Sequence, residues 1–183
     1  MDDIAESAGV TKPLVYQHFE SKRALYLELM DAVSHELVSR IVSATATADG
    51  PRQQVELGFA AYFELMFDSE PAFRLLYGRD APDDLELGAA LRRVEGAIAQ
   101  AIDPLIDAGL DPGHRMLLAH AVVGMAEGAS RHWLDTNRQG SANETSTGAT
   151  EPLPETVRRA ESARLAERLA DFAWAGLRQV HRI

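Results

Sequence analysis

Apolar side chains recur at helical spacing along nearly the whole chain, and no alternating run of β-branched residues interrupts them. The pattern predicts an all-α fold. A short helix over residues 2–8 stops at Gly9, and Thr11 then stands as the N-cap of a second, with Pro13 in its first turn. Ser21 caps a long helix to about residue 46, with Leu25, Leu29, Val33, Leu37 and Ile41 on one side. After "ADGP", Pro51 opens a helix to residue 68 whose apolar face holds Val55, Phe59, Tyr62, Phe63, Met66 and Phe67. A short helix over 71–77 follows. The stripe Leu87, Leu91, Val94, Ile98, Ile102, Leu105 then marks a helix over 82–108, with Pro104 inside it as a kink. "AGLDPG" breaks the chain before a helix over 112–134. Residues 137–154, "NRQGSANETSTGATEPLP", are small and polar and read as a mobile loop. The last helix, 155–180, carries Leu165, Leu169, Phe172, Gly176 and Val180 on one stripe, and no internal repeat is evident.

Composition narrows the class. With 183 residues the chain is one domain, or a small domain on a larger one, and it can bury a real core. It has no cysteine, which removes disulfides, thiolate metal sites and cysteine nucleophiles together and fits a reducing compartment, the cytoplasm by default. No basic leader and no run of about 20 apolar residues signals secretion or a membrane. A net charge of -10 argues against a surface coated for nucleic acid, because phosphate binding depends on cations that release counterions. Residues 11–23 are the exception: Lys12, Lys22 and Arg23 stand against Glu20 alone. A local basic patch on an acidic body fits DNA contact over a small footprint.

Two short helices joined at Ala8-Gly9-Val10 suit a helix-turn-helix, in which glycine permits the left-handed turn and the second helix enters the major groove. Ile4, Ala5, Val10, Val15 and Phe19 are spaced to form its small core. By this pattern alone, an ordinary αα-corner is an equal reading. The side chains add a resemblance. "IAESAGVTKPLVYQHFESKRAL" resembles the DNA-binding signature of the TetR (tetracycline repressor) family of transcriptional regulators. The signature runs I-A, then A-G-V-T/S, then Y-x-H-F, then K-x-x-L, over about residues 3–30.

The resemblance implies phosphate and backbone contacts from Thr11, Tyr16, His18 and Lys22, with Lys12, Pro13, Leu14 and Gln17 facing base edges. Hydroxyls and cations suit phosphate, whereas Gln pairs with adenine and Leu meets a thymine methyl. Against this stand a partly buried aromatic pair for Tyr16 and His18, and a solvated charge for Lys22. Family members also carry an additional first helix across these two. The chain is therefore expected to lack the first helix of its DNA-binding domain, with residues 1–30 a partial domain and residues 31–183 the rest. Each fully uncovered Ile, Val or Phe would forfeit about 1.5–3 kcal/mol. A palindromic double-stranded operator would be bound once that helix is restored, whether Met1 is an internal methionine or the sequence a fragment. The rival expectation is a helical ligand-binding or interaction protein that has lost DNA binding.

For residues 31–183 the resemblance implies a helical ligand-binding and dimerisation domain. Ala121, Gly124 and Gly128 share one helix face, and the last helix supplies Ala166, Ala170, Ala173 and Gly176. Small residues let helices approach closely, either across a two-fold homodimer interface or inside one subunit. A small, largely apolar effector is expected among Phe63, Met66, Phe67, Phe73 and Tyr77, facing Met116, His120 and Val123, although most of these also read as ordinary core. His120 reads as a hydrogen-bonded core or interface residue as readily as a ligand contact. Glu127 reads as an effector contact or as an intersubunit partner of a residue such as Arg131. The six histidines show no compact metal spacing, so neither metal nor cofactor is expected. No phosphate loop, dinucleotide fingerprint or nucleophile elbow is present, and Asp83, Asp84 and Glu86 read as a solvated helix start. The expected function is a ligand-responsive regulator, a repressor released by its effector, and not an enzyme.

Overall fold

The computed structural model describes residues 1–77, 85–106, 109–143 and 154–180. Its elements are α1 Asp2–Ser7, α2 Lys12–His18, α3 Lys22–Thr45, α4 Pro51–Asp68, α5 Glu70–Tyr77, α6 Leu85–Ile102, a 3₁₀ turn Asp103–Leu105, α7 Pro112–Asn143 and α8 Glu155–Leu177. Among the described residues there is no strand, and the fold is all-α.

Local chemistry sets several boundaries. The Ala24 N–H donates to the Ser21 Oγ at 3.0 Å, so α3 starts with a side-chain cap. Thr11 holds the N-cap position of α2 in extended backbone without such a bond. Gly9 takes φ 66°, the left-handed conformation that folds α2 back on α1. At the far end of α6 the helix stops at Ile102, and Pro104 lies in the 3₁₀ turn rather than kinking a continuous helix. A proline there lacks the N–H that the next α-helical bond needs. Asp111 Oδ1 accepts the His114 N–H at 3.0 Å and caps α7. That helix continues to Asn143, through residues 137–143 where a loop was expected. Extending a formed helix costs little even without an apolar stripe. Residues 144–153 lie outside the described residues, as do Asp83 and Asp84.

The expectation of a head without its first helix is corrected. Helix α1 stands ahead of the turn and packs on α2, so the helix-turn-helix has a first helix, and Ala5 and Val15 are buried between the two. Ile4 and Phe19 are half-buried, whereas Val10 at 39% exposure faces outward and leaves the small core expected for it.

Below the head, α3, α4, α6, α7 and α8 close around one apolar core with α4 at its centre. Phe59, Tyr62, Phe63, Met66 and Phe67 of α4 are all buried. Tyr62 meets Phe63 and Phe73 edge-on at 5.1 and 5.7 Å, and Phe67 meets Trp133 of α7 at 4.5 Å, within the range where aromatic pairs attract. Helix α8 lies along α4, and its small residues Ala166, Ala170 and Ala173 are buried in the seam.

Candidate nucleic-acid interface and ligand cavity

On the head, helix α2 turns Val15 inward, and the remaining side chains therefore point out. Thr11, Lys12, Pro13, Leu14, Tyr16, Gln17, His18 and Lys22 are all exposed, so each of the eight expected contact residues is open to solvent. Leu14 is 39% and Tyr16 46% exposed. Lys12 Nζ lies 2.7 Å from Asp2 Oδ1. That hydrogen-bonded pair holds Lys12 above and Asp2 below their ordinary ranges. Lys12 is thus already engaged with an anion of its own chain.

A cavity of about 290 Å³ lies at the opposite end of α3 from the head. Ile41 and Thr45 of α3 form one wall, Val55, Phe59 and Tyr62 of α4 a second, and Ile98 and Ile102 of α6 a third. Ile106, then Val122, Val123 and Ala126 of α7, and Trp174, Leu177 and Arg178 at the end of α8 complete it. Its size falls near the lower end of small-molecule sites, and its lining is mostly apolar with few polar groups. Thr45 Oγ1 donates to the Ile41 carbonyl at 2.8 Å, so that hydroxyl is already satisfied.

Of the eight residues expected around an effector, Val123 lines this cavity. Phe63, Met66 and Phe73 are closed off completely in the packed core. Phe67 is held by Trp133, Met116 is half-buried away from the cavity, and His120 is exposed. Tyr77 belongs to a polar cluster beside the cavity. Its ring lies under the Arg131 guanidinium at 5.7 Å, and its hydroxyl is hydrogen-bonded to Tyr62. The Tyr62 hydroxyl lies 3.2 Å from Ser130 Oγ, itself bonded to the Ala126 carbonyl at 2.8 Å. Burial pushes Tyr62 up to about 12. Glu127 pairs with Arg131 of its own chain and is hydrogen-bonded to Glu95 of α6. Burial, and then the charge of Glu127, push Glu95 up to about 7.

A larger groove of about 710 Å³ runs outside the α4–α8 seam. Its walls are charged and largely paired: Arg52 lies 2.8 Å from Glu56 and 3.2 Å from Asp171, and Arg159 lies 2.6 Å from Glu155. It does not suit an apolar molecule. Among the described residues no group of three or more His, Cys, Asp or Glu side chains could hold a metal ion. None of the described helices is long and apolar enough to cross a membrane.

The small residues expected at a dimer interface separate into two sets. Ala121, Gly124, Gly128 and Gly176 are exposed, and a Cβ built on any of the three glycines would meet nothing within 4 Å. Ala166, Ala170 and Ala173 instead face α4 inside the subunit and are unavailable to a partner. Leu117 at 66% and Phe172 at 69% exposure extend the open set on α7 and α8.

The family model for bacterial regulatory proteins, tetR family, matches residues 1–29, from the first residue into α3. The chain is 30% identical over 182 residues to the HTH-type transcriptional activator FasR of Mycolicibacterium smegmatis, an alignment covering 98% of this chain and 74% of that protein. The structure resembles the fatty acid degradation regulator FadR of Bacillus halodurans with a TM-score of 0.68 at 15% identity, over 92% of this chain and 86% of that one. It also resembles FadR of Bacillus subtilis in complex with stearoyl-CoA, with a TM-score of 0.66 at 15% identity over 91% and 84% of the two chains.

Proposed function

The chain belongs to the tetR family of bacterial regulatory proteins, and from that premise we propose that it is a homodimeric regulator that releases a palindromic operator when a small apolar effector fills the α3–α4–α6–α7–α8 cavity. Members of this family are non-catalytic DNA-binding proteins, so the chain acts by binding and not as an enzyme. One observation carries the proposal: the cavity and the reading helix sit at opposite ends of α3. Ile41 and Thr45 line the cavity, while Ser21 and Lys22 begin the helix directly behind α2. At ~1.5 Å per residue α3 is a lever of about 36 Å.

In the head, Thr11, Tyr16, His18 and Lys22 hold phosphates, while Lys12, Pro13, Leu14 and Gln17 read base edges. Their common exposure leaves all eight open to such contact. Two heads must meet half-sites about one turn apart, and an effector that prefers another spacing weakens binding by differential affinity. The open stripe Leu117, Ala121, Gly124 and Gly128 on α7, joined by Phe172 and Gly176 of α8, supports an isologous interface that brings two heads together. The effector carries an aliphatic chain. The apolar lining supports this, as do the fatty acid degradation regulator and the stearoyl-CoA complex among the similar structures.

We take repression as the working sense of regulation. The activator name of the mycobacterial relative favours a second reading, in which the bound dimer recruits transcription. A reporter behind the operator separates the two, rising on deletion of the regulator for repression and falling for activation. Operator binding itself is tested with genomic fragments at several salt concentrations. Tyr16→Phe and Lys22→Ala should weaken binding to all sequences, with the Lys22 change lowering the salt slope by about one. Gln17→Ala should alter the preferred sequence. Unchanged preference removes its base-reading role, and absence of any salt-dependent operator binding removes the DNA-binding reading.

A further inference from the structure

We propose that Arg178 holds the charged end of the effector, so that the cavity selects an aliphatic molecule with an anionic head over a neutral one of the same length. This rests on the reading of the cavity as the effector site. Arg178 is the one charged side chain among the described residues that line it, and no Asp or Glu accompanies it. It sits at the C-cap of α8, exposed, where the negative end of the helix tolerates a cation. It takes part in none of the ion pairs among the described residues, unlike Arg52, Arg131 and Arg159. An incoming anion therefore displaces no carboxylate of the described residues from this guanidinium.

The deep end of the cavity offers a polar head nothing. There Phe59, Val123 and Ala126 are apolar, and the Tyr62 hydroxyl is already committed to Ser130 and Tyr77. A carboxylate or phosphate placed at that end would be buried without a partner, which costs far more than leaving it in water. The orientation follows: the chain lies against Phe59 and Val123, and the head lies between α4 and α8. Gln54, on the first turns of α4, lines the same cavity and brings an amide donor. A planar guanidinium binds carboxylate or phosphate oxygens through two parallel N–H donors, so an anionic head gains both charge and geometry there.

The test is calorimetric titration of the full chain with dodecanoate, dodecanoyl-CoA and dodecanol. The intact protein should bind at least one of the two anions about tenfold or more tightly than dodecanol, in keeping with the strength of hydrogen bonds to charged groups. Arg178→Gln should remove that advantage and leave dodecanol affinity unchanged, and Arg178→Lys should restore part of it. An advantage confined to dodecanoate assigns the head to a carboxylate; one confined to dodecanoyl-CoA, whose thioester has no carboxylate, assigns it to phosphate. Equal affinities for all three in the intact protein, or an equal loss for all three in Arg178→Gln, overturn the proposal while leaving the cavity as the effector site. Absence of binding by all three removes the effector reading and the proposal together.

Discussion

Glu95 keeps its proton into the neutral range because two carboxyl groups share one half-buried place between α6 and α7. Burial and the charge of Glu127 raise it to about 7, opposed by Arg131 and Arg92, while Tyr77 and Tyr62 lie on the side of α5 and α4. A carboxyl raised from 4.5 to about 7 binds more protons in the folded chain than in the unfolded one across that interval. Its stabilising effect is complete below about pH 4.5 and is lost as pH rises through 7. The melting temperature should therefore include a component that falls between pH 5 and 7.5, and Glu95→Gln should flatten it. An identical slope in the variant would show that other groups carry the dependence. Nothing in the spacing of Glu95 marked it, because the partner that shifts it comes from a different helix.

Among the elements, α8 shows how periodicity leaves a choice open. Ala166, Ala170, Ala173 and Gly176 were legible as a small-residue surface, but a helix with small residues on two sides does not say which side meets its own subunit. The structure puts the three alanines on α4 and leaves Gly176 and Phe172 outside. Two variants separate these faces. Ala170→Leu adds volume to a closed seam and should cost about 1–3 kcal/mol of stability, read by denaturant unfolding. Leu117→Glu places a charge on the open face and should shift sedimentation toward monomer at micromolar concentration with little change in monomer stability. A dimer unaffected by Leu117→Glu would move the interface elsewhere. In α7 the polar stretch 137–143 misled in the opposite direction, since polarity alone does not end a helix.

For the molecule as a whole, the question is how filling a cavity reaches DNA. Besides the lever of α3, ion pairs fasten that helix to the body: Arg23 to Glu86 at 2.5 Å near its start, and Arg40 to Asp68 at 3.2 Å. These are exposed pairs and contribute little to stability, but the first seats the head end of α3 against α6 and the second ties its cavity half to α4. A side chain grown into the cavity should imitate the effector. Val123→Phe is expected to lower operator affinity in the absence of any added molecule, measured by anisotropy on a labelled operator, and to weaken effector binding at the same time. Retained operator affinity with the cavity filled would separate the cavity from the head.

What the chain's own sequence determined is the set of helices and the kind of head. Apolar spacing at 3.6 residues, the Ser21 cap, prolines at helix starts and the glycine turn are local signals, and each acts over a few residues. The open face of α2 and its edge were legible for the same reason, since those side chains follow one another along the chain. Tertiary structure alone decided the cavity. Its walls come from five helices far apart in sequence, and an aromatic on α4 looks the same whether it lines a space, as Phe59 does, or closes one, as Phe63 does. That difference lies in how neighbouring helices fit, which no period along one helix records.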